Sequence, residues 1–213
     1  MVMLQLRQLD VPPGQRLLLH DVNWAEFEAI LEELGEHRNT RVAYDKGLLE
    51  IMAPLPEHES DKEIIGDLLK ALLEELDIEF LTLGSTTFKN SDMLTGIEPD
   101  QCFYIQNEAA VRGKKRLDLT TDPPPDFALE IDITSRTHPE TYAALGVPEL
   151  WRRVGQTIRM YHLQNGQYVE VHESPTFSGW SLQNAIPAYV KQSQVEGRNR
   201  AMRSFRQWVR DHL

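Results

Sequence analysis

From Asn23 onward, apolar residues recur at helical spacing: Trp24, Phe27, Ile30, Leu31 and Leu34 fall on one face. Asn23 is placed to cap this helix, Glu26 completes a capping box, and Gly35 is a stop signal. The run RVAYDKGLLEIMAP then changes period. It reads as two short strands joined at Asp45, Lys46 and Gly47, with Gly47 supplying a positive φ and Pro54 and Pro56 closing the hairpin. A longer helix is predicted from about Glu57 to Leu76. Ile64, Ile65, Leu68, Leu69, Leu72, Leu73 and Leu76 form its apolar stripe, which His58 and Asp61 extend toward the N-terminus.

Beyond Asp77 the pattern is mostly that of strands: IEFLTLGSTTFK, EPDQCFYI and DFALEIDIT. The stretch from Gln106 to Pro125 is charged, then proline-rich, and reads as a loop or distorted hairpin. A short helix is predicted over about Pro139 to Leu145, ended by Gly146. ELWRRVG, TIRMYHL and QYVEVHE alternate like antiparallel strands. From about Glu196 to Leu213 a helix returns, with Ala201, Met202, Phe205, Trp208 and Val209 on one face. This order is a mixed α/β arrangement around one sheet. No break in composition divides it, so residues 1–213 read as a single domain with an appended C-terminal helix at about 196–213.

Composition narrows the choices. The chain has 213 residues, 41% hydrophobic and 26% charged, which is globular and large enough to bury a core unaided. The single cysteine, Cys102, excludes an internal disulfide and a Cys-based zinc site. No apolar run approaches the ~18 residues of a membrane span, and the N-terminal segment lacks the apolar core of a signal peptide. The expectation is a soluble cytoplasmic protein with no membrane partner. A net charge of −11 counts against a non-specific nucleic-acid coat protein. Carboxylates that bind a metal would themselves contribute to that charge. No P-loop, dinucleotide fingerprint or Gly-x-Ser-x-Gly elbow is present.

The informative chemistry is acidic. Acids that interrupt apolar strands are costly to bury unless something compensates them, and a hard divalent cation is one such compensation. In DFALEIDIT, Asp126, Ala128, Glu130 and Asp132 share one face. Asp126 and Glu130 would stand about 13 Å apart, too far to share a small cation, whereas Glu130 and Asp132 would stand about 7 Å apart at the backbone and can share one. If EPDQCFYI pairs with this strand, Asp100 could face Glu130. A Mg²⁺ held by two carboxylates, with water and phosphate completing its shell, is then natural chemistry. The competing reading makes Asp126 a strand start and Asp132 a turn cap.

The stretches GIEPDQCFYI, DPPPDFALEIDITS and YAALGVPELW resemble the Uma-two family of restriction-endonuclease-like proteins in the PD-(D/E)XK nuclease superfamily. The resemblance spans roughly Asn23 to Leu163. It implies a central mixed sheet flanked by helices and an endonuclease that hydrolyses nucleic-acid phosphodiester bonds, DNA first among them, with Mg²⁺ or Mn²⁺. On that pattern Asp100 and Glu130 hold the metal. The superfamily places a Lys two residues after the Glu, and here that position is Asp132. The segment in which relatives supply a Lys reads SRTHPET, where Arg136 and His138 are the basic groups. An arginine can stabilise phosphate charge but does not give up its proton, whereas a neutral histidine can orient or deprotonate water. His58, on the stripe of the long helix, is a further catalytic candidate. The catalytic set expected is Asp100, Glu130, Asp132, His58 and His138.

Nucleases of this type often act as homodimers, and exposed apolar strands near Trp151 to Leu163 could serve as the contact. The basic run at Arg112–Arg116 is either a contact to nucleic-acid backbone or a solvated loop tip, and the arginines of the last helix read as a solvated face. The missing Lys and the acidic balance leave an alternative open: a catalytically weakened nuclease fold used as a binding or interaction module. A hydrolase of small phosphoesters, needing no basic groove, is a third.

Overall fold

The computed structural model describes residues 6–35, 38–84, 86–132 and 138–213. A short 3-10 turn (Leu6–Gln8) leads to β1 (Arg16–Leu19) and α1 (Trp24–Leu34). The hairpin of β2 (Arg41–Asp45) and β3 (Leu48–Met52) follows, then the long α2 (Pro56–Glu75). Four short strands come next: β4 (Leu81–Leu83), β5 (Phe88–Asn90), β6 (Thr95–Ile97) and β7 (Gln101–Tyr104). After α3 (Glu108–Val111) the chain forms β8 (Phe127–Asp132), α4 (Pro139–Ala144), β9 (Glu149–Val154), β10 (Thr157–Gln164) and β11 (Gln167–Val171). It closes with α5 (Leu182–Glu196) and α6 (Arg198–Arg210).

Local sequence accounts for many of these boundaries. Asn23 accepts from the Glu26 amide at 3.0 Å while the Glu26 carboxylate accepts from the Asn23 amide at 2.8 Å, the reciprocal capping box expected. In the β2–β3 turn both Lys46 (φ 45°) and Gly47 (φ 99°) are left-handed, the pair required by a two-residue turn that matches strand twist. The distorted segment after Gln106 contains the one-turn α3 and is otherwise irregular.

The strands form two sheets where the sequence suggested one. Five are ordered β1-β3-β2-β6-β5 and six are ordered β11-β10-β9-β8-β7-β4. The six-stranded sheet is mixed: β8 and β9 run parallel, with α4 on the crossover, and its other neighbours are antiparallel. The stretch read as one strand, IEFLTLGSTTFK, is therefore two, with β4 in one sheet and β5 in the other.

Strand alternation sorts the core. Phe127, Leu129 and Ile131 of β8 join Trp151 and Met160 beneath α2, α5 and α6. Ala128 lies on the opposite face with Cys102, Tyr104, Leu150 and Tyr142. α1 covers the five-stranded sheet, where Phe27 stacks on Tyr44 at 4.4 Å. Trp151, Ile158 and Met160 are 0%, 1% and 0% exposed, so the strands expected to form a dimer contact spend their apolar side chains on the chain's own core.

α5 was missed in the sequence because Pro187 lies inside it, although Leu182, Ile186 and Val190 keep helical spacing and are buried. The arginines of α6 are largely staples. Arg198 pairs with Asp67 of α2 at 2.5 Å, Arg206 with Glu74 at 2.5 Å, and Arg210 with Glu75 at 2.7 Å. In the basic run, Arg112 pairs with Glu108 at 2.5 Å and Lys114 pairs with Asp122.

Candidate active site

Glu98, Pro99 and Asp100 link β6 of one sheet to β7 of the other. Gln101 is registered with Leu129 in the antiparallel β7–β8 pair, so Asp100 stands one step further, opposite Glu130. The strands pair as the sequence argument required. Asp100 is 1% exposed, and its Oδ2 accepts from the Ile131 amide at 2.8 Å. His58, at the start of α2 and 1% exposed, places Nε2 3.0 Å from the same oxygen. Arg41 of β2 places Nε 3.2 Å from Asp100 Oδ1, Nη2 3.4 Å from Glu59 Oε1 and Nη1 3.3 Å from the Pro99 carbonyl.

Glu130 is held from the other side, where the hydroxyl of buried Tyr142 on α4 donates to its Oε1. Burial, then the negative charge of Asp100, push the Glu130 carboxyl well above the usual carboxylate range, against the pull of the Tyr142 hydrogen bond. Burial alone would lower the His58 imidazolium, but the hydrogen bonds and charges of Asp100 and Glu59 outweigh it and raise it to about 9. The Glu59 carboxyl is held below its ordinary value, first by the His58 contact and then by Lys62 and Arg41 against the opposing effect of burial. Burial likewise opposes the charge on Arg41, and the carboxylates of Asp100, Glu59 and Glu130 more than restore it.

The family model described as "Uma2: Putative restriction endonuclease" matches residues 24–194. The chain belongs to this family. Among solved structures it is similar to one titled as a putative nuclease belonging to DUF820 from Anabaena variabilis ATCC 29413. The two share 12% identity over 85% of this chain and 99% of that one, with a TM-score of 0.54, a likeness that establishes the fold. No curated protein matches.

In this Uma2 family member, the structure brings together four of the five residues expected at the site: Asp100, Glu130, Asp132 and His58. Asp132 shares the Glu130 face and is gripped by Arg152 of β9, whose Nε donates to Asp132 Oδ2 at 2.8 Å. His138 is held elsewhere. Its Nε2 lies 3.4 Å from Glu50 Oε2, and its electrostatic partners are Glu50, Glu140 and Arg16. Arg136 falls outside the described residues. Asp126 is structural: it accepts from the amides of Ile105 and Asn107 at 2.7 and 3.0 Å and from Asn107 Nδ2 at 2.6 Å.

Sequence reasoning missed Arg41, Tyr142 as a hydrogen-bond donor, and Arg152. Arg41 was visible only as a charge at the head of an apolar strand. Nothing in the local sequence around Tyr142 and Arg152 says that a partner strand and helix bring them to Glu130.

A divalent cation suits this donor set. Hard cations prefer carboxylate oxygen, and Mg²⁺ commonly takes only one or two carboxylates, leaving water and phosphate to complete its shell. Among the described residues no three His, Cys, Asp or Glu side chains gather closely enough to cage a metal alone. The raised Glu130 carboxyl beside Asp100 is the repulsion that a cation would relieve. The residues therefore fit an ion with an open shell and not one wrapped by protein.

Proposed function

We propose that this Uma2 family member is a metal-dependent endonuclease that hydrolyses nucleic-acid phosphodiester bonds, DNA being the substrate favoured, with Asp100 and Glu130 holding Mg²⁺ or Mn²⁺. The observation that carries the proposal is the placement of Asp100 opposite Glu130, with the Glu130 carboxyl raised by burial and by its neighbour. The bound ion would lower the pKa of an attacking water and stabilise charge developing on the phosphate. The chain's own residues position the carboxylates. Ile131, His58 and Arg41 orient both oxygens of Asp100, and Tyr142 fixes one oxygen of Glu130. Arg152, anchored on Asp132, supplies positive charge on the face where the superfamily pattern has a lysine. His58, at Asp100, is the candidate for handling a proton, whereas His138 faces Glu50.

One observation favours a second reading, the weakened fold acting as a binding module. Asp100 is already neutralised by Arg41 and contacted by His58 and a backbone amide, so its lone pairs are heavily used before any ion arrives. The test is calorimetric titration of Mn²⁺ into the wild type and a Glu130→Ala variant, with plasmid nicking followed in the same samples. Binding and nicking, both lost in the variant, are expected. No binding and no nicking in the wild type would favour the module.

The same proposal includes one domain carrying α6 as an appendage, a cytoplasmic setting and a homodimer, since cutting both strands of a duplex uses two sites. No helix among the described residues is long and apolar enough to cross a membrane. Light scattering at micromolar concentration tests the dimer, and a monomer would count against it.

A further inference from the structure

The pairing of the six-stranded sheet sets a row of charge across it. Glu130 is registered with Arg152 in the parallel β8–β9 pair, and Arg152 is registered with Arg159 in the antiparallel β9–β10 pair. Registered residues share a face, so Asp100, Glu130, Arg152 and Arg159 follow one another across four strands. At ~4.8 Å per strand, Arg159 lies about 10 Å from Glu130. The row one step deeper is Cys102, Ala128, Leu150 and Tyr161, part of the apolar core. The row one step outward carries a single charge, Asp132, followed by Val154 and Thr157.

Two arginines directly opposite each other on neighbouring strands repel, and Asp132 offsets only one of the two charges, so an anion between them is favoured. Arg152 is prepared for one. Nε and Nη2 engage Asp132, its guanidinium sits 5.9 Å over the Tyr161 ring, and Nη1 has no hydrogen bond among the described residues. Arg159 is exposed and makes no ion pair among the described residues. Glu170, registered with Tyr161 on the same face, does not pair with it. Exposure rises along the row, from Asp100 at 1% through the half-buried Glu130 and Arg152 to the exposed Arg159, so the row runs from an enclosed carboxylate out to solvent.

We infer that Arg152 and Arg159 form a phosphate track, on which a nucleic-acid strand lies across β9 and β10 with its reacting phosphate at Asp100 and Glu130. The inference rests on the nuclease reading above. It names the direction in which the substrate leaves the site: perpendicular to the strands, toward β10. Because the contacts are to backbone charge, the track is blind to base sequence.

The test is binding of a short fluorescein-labelled single-stranded DNA by anisotropy, without divalent ions, as a function of salt, with plasmid nicking in Mn²⁺ measured alongside. Arg159→Ala is expected to weaken binding roughly three- to tenfold and to lower the slope of log affinity against log salt by roughly 0.7. Arg159→Lys, which keeps the charge, should restore both. Arg203→Ala on α6, also an exposed arginine, should leave both unchanged. Arg159 is exposed, so the variant's fold is checked simply by circular dichroism. A wild type that binds and nicks while Arg159→Ala matches it, or while Arg203→Ala falls as far, overturns the track and leaves the nuclease reading standing. A wild type that neither binds nor nicks overturns both.

Discussion

Arg41 Nε and Asp100 Oδ1 stand 3.2 Å apart and join the two sheets at the candidate site. Arg41 belongs to the five-stranded sheet, while Asp100 leads into the six-stranded one. Both residues are buried, so the pair ties the integrity of the sheet junction to the placement of a candidate ligand. Removing the guanidinium leaves the enclosed Asp100 with only the His58 imidazolium as counter-charge, and breaking a buried ion pair typically costs about 3–5 kcal/mol. Arg41→Ala should lower stability by about 3 kcal/mol in urea unfolding and abolish nicking. Arg41→Lys, which keeps charge but loses the fork, should recover part of the stability.

Glu130 should show the opposite sign. Its carboxyl is raised by burial and by Asp100, so on unfolding it ionises more readily than in the fold. The wild type therefore loses stability as pH rises above the ordinary carboxylate value, and the loss persists at neutral pH. Glu130→Gln removes that repulsion and keeps an oxygen for Tyr142. The variant should melt higher than wild type at pH 7, by an amount that shrinks toward zero as pH falls below about 4.5. It should also fail to bind Mn²⁺ in calorimetry. A variant less stable than wild type at pH 7 would contradict the electrostatic picture.

The Glu50–His138 contact should stabilise only within a pH window. The Glu50 contact raises His138 against the effect of burial, while Glu50 itself is lowered by His138 and Arg16, again against burial. A raised histidine contributes fully below its ordinary value near 6.5 and loses that contribution as pH rises through its folded value. A lowered carboxylate contributes above its ordinary value near 4.5 and loses it as pH falls. The stability difference between wild type and His138→Gln should thus be largest between these values and narrow on both sides, as read from urea midpoints across pH. Nicking by His138→Gln, measured in the same series, shows whether the residue also serves the reaction.

Gly66 of α2 is a notch for Gln101, the neighbour of Asp100. A Cβ at Gly66 would stand 1.9 Å from Gln101 Oε1 and 2.7 Å from its Cδ. The Gln101 side chain is anchored through Nε2 to Thr82 Oγ1 at 3.2 Å, so it yields only by giving up that bond. Gly66→Ala should cost about 1–3 kcal/mol as an overpacked contact. Combining it with Gln101→Ala should recover most of the loss, which a double-mutant cycle by urea unfolding would report.

Much of the fold was legible because it is written in local pattern. The box of Asn23 and Glu26, the stripe of α2 and the alternation of β8 to β11 depend on periodicity and short-range hydrogen bonding. Where local and tertiary demands diverge, the reading failed. Pro187 hid α5, which forms because its apolar residues are buried against the sheet despite the lost backbone donor. Gly84 gave no sign that β4 and β5 enter different sheets, since a partner strand is chosen by contacts far away in sequence.

The sequence by itself determined the residue types and their faces: Glu130 and Asp132 on one side of a strand, and His58 on the buried stripe of a helix. It also carried the motif that places the chain in its family. Only the tertiary structure decided which strand lies beside β8 and in what register. That register sets Asp100 against Glu130, turns Arg152 onto Asp132, and brings Arg41 across from the other sheet. Side-chain period is an intrinsic property of a strand. Register is a property of the pair, and it is settled by the whole buried face at once.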